Sequence, residues 1–151
     1  FLTVNCQTNS SNYGTNIITK YQRADAFVVD ERELRLAFGQ ALTPRHHLLK
    51  KLRERLHSAM AWGTIGADGA IGQKDEEEVR IPALVHKVKD TIGAGDAFYA
   101  LAALSAVKNV PIDMATLLAN TSGALKTNVV GNKEAVQKVD LLKFLGTVLN
   151  V

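Results

Sequence analysis

The segment Asp90-Thr91-Ile92-Gly93-Ala94-Gly95-Asp96-Ala97-Phe98 gathers residue types that do chemistry, with two carboxylates bracketing two glycines and an apolar run directly behind them. Gly93 and Gly95 let the backbone approach a ligand closely and take conformations closed to other residues. A helix opening here leaves the N–H groups of its first turn without intrahelical acceptors. Those donors, with the positive end of the helix dipole, suit a phosphate or a phosphoryl group in transfer. Asp96 stands in the same first turn, where a carboxylate can take a proton. Phosphoryl transfer from a nucleotide to an alcohol needs both parts, a base for the hydroxyl proton and donors for the equatorial oxygens in flight. The same letters also describe a plain Gly-rich strand-to-helix turn capped by Asp, and that alternative stays open on the local pattern.

Two other phosphate-binding motifs fail on the letters. Gly93-Ala94-Gly95 begins like a dinucleotide fingerprint, but Phe98 stands where a third Gly or Ala is needed for helix packing. A Walker A loop needs Gly-Lys-Ser/Thr after its spacer, and no such string occurs in the chain.

The elements that must position this segment follow from periodicity. Residues 1–5 and 26–30 (AFVVD) are short apolar runs closed by a polar residue, the pattern of strands buried on both faces of a parallel sheet. Residues 12–21 have room for one short helix, preceded by an Asn/Ser-rich stretch that favours turns and caps. A helix over residues 31–38 ends at Gly39, and Thr43-Pro44 opens another, with Thr43 as cap and Pro44 at the first helical position, running to about residue 57. On it Leu48, Leu49, Leu52 and Leu56 share one face, while Lys50, Lys51, Arg53 and Arg55 lie largely on the others, as a solvated face or an anion site. Residues 59–65 read as a third strand, residues 66–69 as a tight turn, and residue 70 as the start of a hairpin partner. The acidic run 75–78 falls at a loop tip, either solvated or holding a metal, and residues 79–89 are extended with an interruption at Pro82. Residues 97–108 are apolar nearly all round, which predicts a helix enclosed by the fold. Pro111 restarts a helix to about residue 127, and a last one over 138–148 carries Val139, Leu141, Leu142, Leu145 and Val148 as its core side. The class is α/β with a mostly parallel sheet.

Composition agrees with one ordinary domain: 151 residues, 46% hydrophobic and 22% charged. The longest uncharged apolar run, residues 97–107, is far short of the roughly 20 needed to cross a bilayer, so no membrane partner is expected. The net charge of +3 is scattered along the chain, which argues against a nucleic-acid partner. Cys6 has no internal partner for a disulfide, so a free thiol in a reducing cytosol is expected. The chain opens on Phe1-Leu2-Thr3-Val4-Asn5 without an initiator Met. This predicts a chain cut from something larger, with an exposed strand edge prone to self-association or to pairing as a homo-oligomer.

DTIGAGDAF resembles the signature of the ribokinase-like, or PfkB-type, carbohydrate kinases. The resemblance implies a three-layer ribokinase-like fold and an ATP-dependent phosphotransferase acting on an alcohol group of a sugar or sugar phosphate. In it Asp96 would be the general base, and the amides of Gly93, Ala94 and Gly95 the anion hole. Thr64-Ile65-Gly66-Ala67-Asp68-Gly69 is similar to the family's nucleotide-binding strand-turn, which implies nucleotide contacts at Thr64, Gly66 and Gly69. Asn120 falls in the helix that borders the adenine, and Gly131 in a following glycine loop. Asp30-Glu31-Arg32-Glu33 resembles the family's Asn-x-x-Glu element, with Glu33 linked to Mg²⁺ and its waters and Asp30 in place of the usual Asn. Asp90, the carbonyl of Ile92 and carbonyls near residues 127–131 align with a monovalent-cation site, K⁺ for instance, of some members. On the residues alone, Glu33 is equally an exposed helix carboxylate, and Asp90 and Thr91 equally caps of the turn. Family chains are about twice this length and carry the signature late, so the resemblance implies the C-terminal, nucleotide-binding portion only, without the sugar-contacting and lid portion. Residues 4–33 are similar to members related to heptose-phosphate kinases and their nucleotidyltransferase fusions, which names no substrate. The alternative function is a non-catalytic nucleotide-binding or scaffold module of the same fold.

Overall fold

The structure is a computed structural model that describes residues 1–85, 88–131 and 133–150. Strands β1 (Thr3–Asn5), β2 (Ala26–Asp30), β3 (Met60–Thr64), β4 (Ala70–Lys74) and β5 (Glu77–Ile81) form one five-stranded sheet in the order β1-β2-β3-β4-β5. The pairs β1–β2 and β2–β3 are parallel, while β4 is antiparallel to both β3 and β5. Only β4 therefore runs against the common direction, and the sheet is mostly parallel in strand direction.

Alternation along the strands divides the core in two. Phe27, Val29 and Ala61 point to the face covered by α1 (Glu31–Phe38) and α2 (Arg45–Arg55), meeting Leu34, Leu48, Leu49, Leu52 and Leu56. Ala26, Val28, Met60 and Trp62 point to the opposite face, where α3 (Ala94–Val107) and α4 (Ile112–Lys126) bring Phe98, Ala102, Ala106, Ile112, Ala115 and Ala119. The result is three layers, helix–sheet–helix, as expected for a ribokinase-like fold.

Helix α4 lies very close to the β3–β4 hairpin. Gly72 pairs with Trp62, and a Cβ at Gly72 would stand 2.1 Å from Thr116 Oγ1. The Trp62 indole N–H donates to Thr116 Oγ1 at 3.0 Å, and that hydroxyl donates to the Ile112 carbonyl at 2.6 Å, so the polar atoms buried in this contact are paired.

Several elements differ from expectation. Residues 12–21 supply only the 3₁₀ turn Ile18–Lys20. Upstream of it, Asn9 Oδ1 accepts from the N–H groups of Ser11 and Asn12, and Asn12 Oδ1 accepts from that of Asn9, so side chains satisfy backbone donors that a helix would have used. At α2, Pro44 is the N-cap rather than the first helical residue, and Thr43 does not cap. Arg35 donates to the carbonyls of Ala41 and Thr43, and in the loop so held the Thr43 hydroxyl donates to Gln40 Oε1. The basic face of α2 is not wholly solvated, because Arg53 is buried and donates to the carbonyls of Ala59 and Asp75. Of the acidic run, Asp75 and Glu76 form the β4–β5 turn, Glu76 pairs with Lys50, and Glu78 pairs with Arg80. Among the described residues no three His, Cys, Asp or Glu gather as a metal cluster, there or elsewhere.

Helix α3 starts earlier than residue 97, at Ala94, and is enclosed on one side only. Phe98, Ala102, Ser105 and Ala106 are buried against the sheet and α4, whereas Leu104 and Val107 are exposed. Helix α5 (Lys138–Leu149) packs chiefly along α4 and buries no residue fully, so Val139, Leu142 and Val148 are exposed while Leu141 and Leu145 are half-buried. Among the described residues no helix is long and apolar enough to cross a membrane.

The turn 66–69 offers a direct test of this architecture. Gly69 has φ +94°, and an added Cβ would lie 2.0 Å from the Ile81 carbonyl oxygen. Gly69→Ala should destabilise the fold by about 2 kcal/mol or more, by left-handed strain and by displacing the end of β5. Urea unfolding of the two proteins measures this, and a loss under about 0.5 kcal/mol would show that the turn adapts freely.

Candidate active site

Because β1, β2 and β3 are parallel, their carboxyl ends open on one edge of the sheet, where a crevice forms in folds of this class. Asp30 pairs with Thr64 at that edge, and Asn5 closes β1 beside them. A cleft of about 420 Å³ lies there. Its floor is Val28, Val29, Asp30 and Thr64, one wall is Asn5, Cys6, Gln7 and Thr8 with Glu33, and the other is Thr91, Ile92, Gly93, Gly95 and Asp96.

The Asp30 and Glu33 side chains are fixed by a capping box at the start of α1. Asp30 Oδ1 accepts from the Glu33 N–H at 2.7 Å, and Glu33 Oε2 accepts from the Asp30 N–H at 3.0 Å. Glu33 Oε1 accepts from the Thr8 N–H at 3.0 Å, which draws the wall after β1 onto α1. Glu33 is buried, not the exposed helix carboxylate that its sequence also allowed. Burial pushes its carboxyl above the usual range, the backbone N–H of Asp30 pulls the other way, and the Asp30 charge adds to the rise. Cys6 lies buried beside it, and burial together with the Glu33 and Asp30 charges pushes its thiol up to about 12, which favours the protonated thiol.

The glycine turn is built by its own backbone. Ala94 donates its N–H to the Thr91 carbonyl at 3.2 Å, closing a four-residue turn whose third member, Gly93, has φ 78° and ψ 0°. Those angles belong to a type II turn, which requires a residue that tolerates positive φ. Ala94 therefore departs from expectation: its amide closes the turn and does not face the cleft as a free donor. Gly93 is the N-cap of α3 without a side-chain cap, and among the described residues the N–H groups of Gly93, Gly95 and Asp96 have no protein acceptor. Asp96 is exposed in the first turn of α3, on the same wall.

Asp90 caps the turn, as the residues alone allowed, and does more. Its Oδ1 accepts from the Ile92 N–H at 2.9 Å, and its Oδ2 accepts from the Gly131 N–H at 2.7 Å across 41 residues of chain. Those two N–H groups hold the Asp90 carboxyl below the usual carboxylate range.

The cleft thus brings together Asp30, Glu33, Thr64, Ile92, Gly93, Gly95 and Asp96. Gly66, Gly69, Asn120 and Asp90 do not line it. Gly66 and Gly69 bound the turn after Thr64, and Asn120 donates from Nδ2 to the Pro82 carbonyl at 2.8 Å, fixing the chain that leaves β5.

Sequence profiles identify residues 9–138 with the pfkB family carbohydrate kinase domain. The chain belongs to the pfkB family of carbohydrate kinases. It is 31% identical over 121 residues to an ATP-dependent 6-phosphofructokinase of Thermoanaerobacterium thermosaccharolyticum, a match covering 80% of this chain and 37% of the relative. It is 30% identical over 114 residues to a ribokinase of Lactococcus lactis, covering 70% of this chain and 38% of the relative. In structure it resembles phosphofructokinase-2 from Escherichia coli, solved in complex with potassium, with a TM-score of 0.75 at 17% identity over 84% of this chain and 42% of the other. The chain therefore spans less than two fifths of the length of these two curated pfkB relatives.

The pattern reading missed the wall Asn5, Cys6, Gln7 and Thr8. The available signal was a polar residue closing an apolar parallel strand, which marks the carboxyl edge where ligands bind, and it applied to Asn5 as much as to Asp30 and Thr64.

Glu33 yields a pH-dependent prediction. It holds its proton more tightly folded than unfolded, so the folded state binds more protons from the ordinary value of 4.5 up to its raised one, and Glu33's contribution to stability falls as pH rises through that window. The stability gap between wild type and Glu33→Gln should be widest below pH 4.5 and narrow above it, as read from urea unfolding at a series of pH values. A gap constant across the window would count against the buried carboxyl.

Proposed function

We propose that this chain carries the nucleotide-binding and phosphoryl-transfer half of an ATP-dependent kinase acting on a hydroxyl of a sugar or sugar phosphate. The observation that carries the reading is the convergence, on one cleft wall, of free N–H groups at the start of α3 with the Asp96 carboxylate beside them. Gly95 and Asp96, with Gly93, are the anion hole, and Asp96 is the base that takes the acceptor's proton. Ala94 contributes by holding the turn shut.

The donor set suits the cofactors. Carboxylate and hydroxyl oxygens at Asp30, Glu33 and Thr64 match a hard cation such as Mg²⁺, which bound with ATP would neutralise charge on the transferring phosphoryl group. Both Glu33 oxygens already accept backbone N–H groups, so Glu33 acts on the metal through its waters. Asp30 keeps Oδ2 without a partner among the described residues, which gives an extra carboxylate oxygen where the family's usual Asn would offer an amide. Thr64 lines the nucleotide side of the cleft, Gly66 and Gly69 shape the turn beside it, and Asn120 sets the neighbouring wall through Pro82. The lone thiol Cys6 accords with a reducing cytosol.

Asp96→Asn in the full-length protein should leave Mg-ATP affinity within about threefold while lowering turnover by roughly two to four orders of magnitude, since only the proton acceptor is lost. Calorimetry and a coupled assay over a panel of sugars and sugar phosphates measure the two. Turnover within about threefold of wild type would remove Asp96 as base. Nucleotide binding by the wild type without turnover on any acceptor would favour a non-catalytic scaffold instead. The 151 residues alone should bind Mg-ATP weakly without useful turnover, because holding acceptor and nucleotide in line supplies roughly 7 to 11 kcal/mol and no acceptor pocket is assigned to them.

A further inference from the structure

Helix α4 ends on a buried lysine. Lys126 is 6% exposed, and its Nζ donates to the carbonyls of Gly131 at 3.0 Å and Glu134 at 2.9 Å. A buried ammonium is costly unless its donors are satisfied and a counter-charge is near. Here two carbonyls take two of its three N–H donors, and its charge helps to hold the Asp90 carboxyl low.

The same place is where family resemblance would put a monovalent metal ion, and the Asp90 carboxylate and the carbonyls of Thr127 and Gly131 are already in use there. The Thr127 carbonyl accepts from the N–H groups of both Lys89 and Asp90, at 3.0 and 3.1 Å. Both Asp90 oxygens accept backbone N–H groups, from Ile92 and Gly131. The Gly131 carbonyl is taken by Lys126. An ion such as K⁺ is held by carbonyl oxygens that replace its water, and a second positive charge beside the ammonium would be repelled. The residues present do not fit that ion.

We propose that the Lys126 ammonium is a built-in cation: tethered to α4, it clamps the loop carbonyls of Gly131 and Glu134 and keeps Gly131 on Asp90, so this chain orders its signature turn without a monovalent metal. The proposal rests on the kinase reading only for the expectation of an ion there. Its test reads melting temperature and involves no phosphoryl transfer, so either can fail without the other.

The full-length protein and its Lys126→Met variant are melted in KCl and in tetramethylammonium chloride of equal ionic strength, the second cation being too large for a carbonyl cage. The wild type should melt within about 1 °C in the two salts. Lys126→Met should melt about 5 °C or more lower in tetramethylammonium and recover, saturably, in KCl as the freed carbonyls accept the metal. Saturable stabilisation of the wild type by KCl would overturn the proposal, as would a folded Lys126→Met that does not distinguish the salts. Should the variant not fold in either salt, the wild-type comparison decides alone, with indifference upholding the proposal and a saturable KCl gain overturning it.

Discussion

Residues Ala26 to Val29 are buried on both faces of the sheet, so the backbone of β2 has no water on either side and its N–H and C=O groups must pair along both edges. Parallel partners on both edges meet that requirement, β1 on one side and β3 on the other. Three strands locked in one direction bring Asn5, Asp30 and Thr64 to a common edge. The cleft is a consequence of that pairing, and the capping box of α1 then holds Asp30 and Glu33 at it.

The opposite wall is held in a different way. No strand leads directly into the glycine turn among the described residues; it hangs on Asp90, whose two oxygens bind one N–H within the turn and one in the loop beyond α4. The carboxylate thus joins two segments 41 residues apart, and the Thr127 carbonyl repeats the tie by accepting from the N–H groups of Lys89 and Asp90. Tyr99 anchors the first turns of α3 to the sheet edge through Thr3. Gly123 lets α3 and α4 come close, since a Cβ there would meet the Ala94 carbonyl at 3.3 Å. Position of the glycine turn is therefore a property of α4 and its following loop as much as of the signature itself.

Much of this was legible in the sequence for physical reasons that can be named. AFVVD showed two-sided burial, Gly39 ended α1, and the hairpin turn and α4 followed from local punctuation. What failed depended on partners that a single element does not reveal. The apolar girth of α3 says that it prefers burial, but Leu104 and Val107 face solvent because nothing among the described residues packs on that side. Arg53 reads as a surface charge until the carbonyls of Ala59 and Asp75 are folded over it. Lys126 likewise carries no sign in the sequence of the two loop carbonyls it binds. At the site, the signature was readable but the division of labour among its amides was not, because which N–H closes the turn depends on backbone angles.

That division bears on why the motif has two glycines. Gly93 is required by the chain itself, since the turn places it at φ 78°. Gly95 is not: its φ is not positive, and an added Cβ would meet no atom within 4 Å beyond its own helix and chain neighbours. Glycine has a lower helix propensity than alanine, so in the first turn of α3 the fold alone gains nothing from Gly over Ala at this position. Under the proposed kinase reading, a ligand approaching from outside supplies the reason for such a residue. Gly95 faces the cleft next to Asp96, its N–H has no acceptor among the described residues, and the close approach it permits is the one that the proposed phosphoryl group at the start of α3 would use.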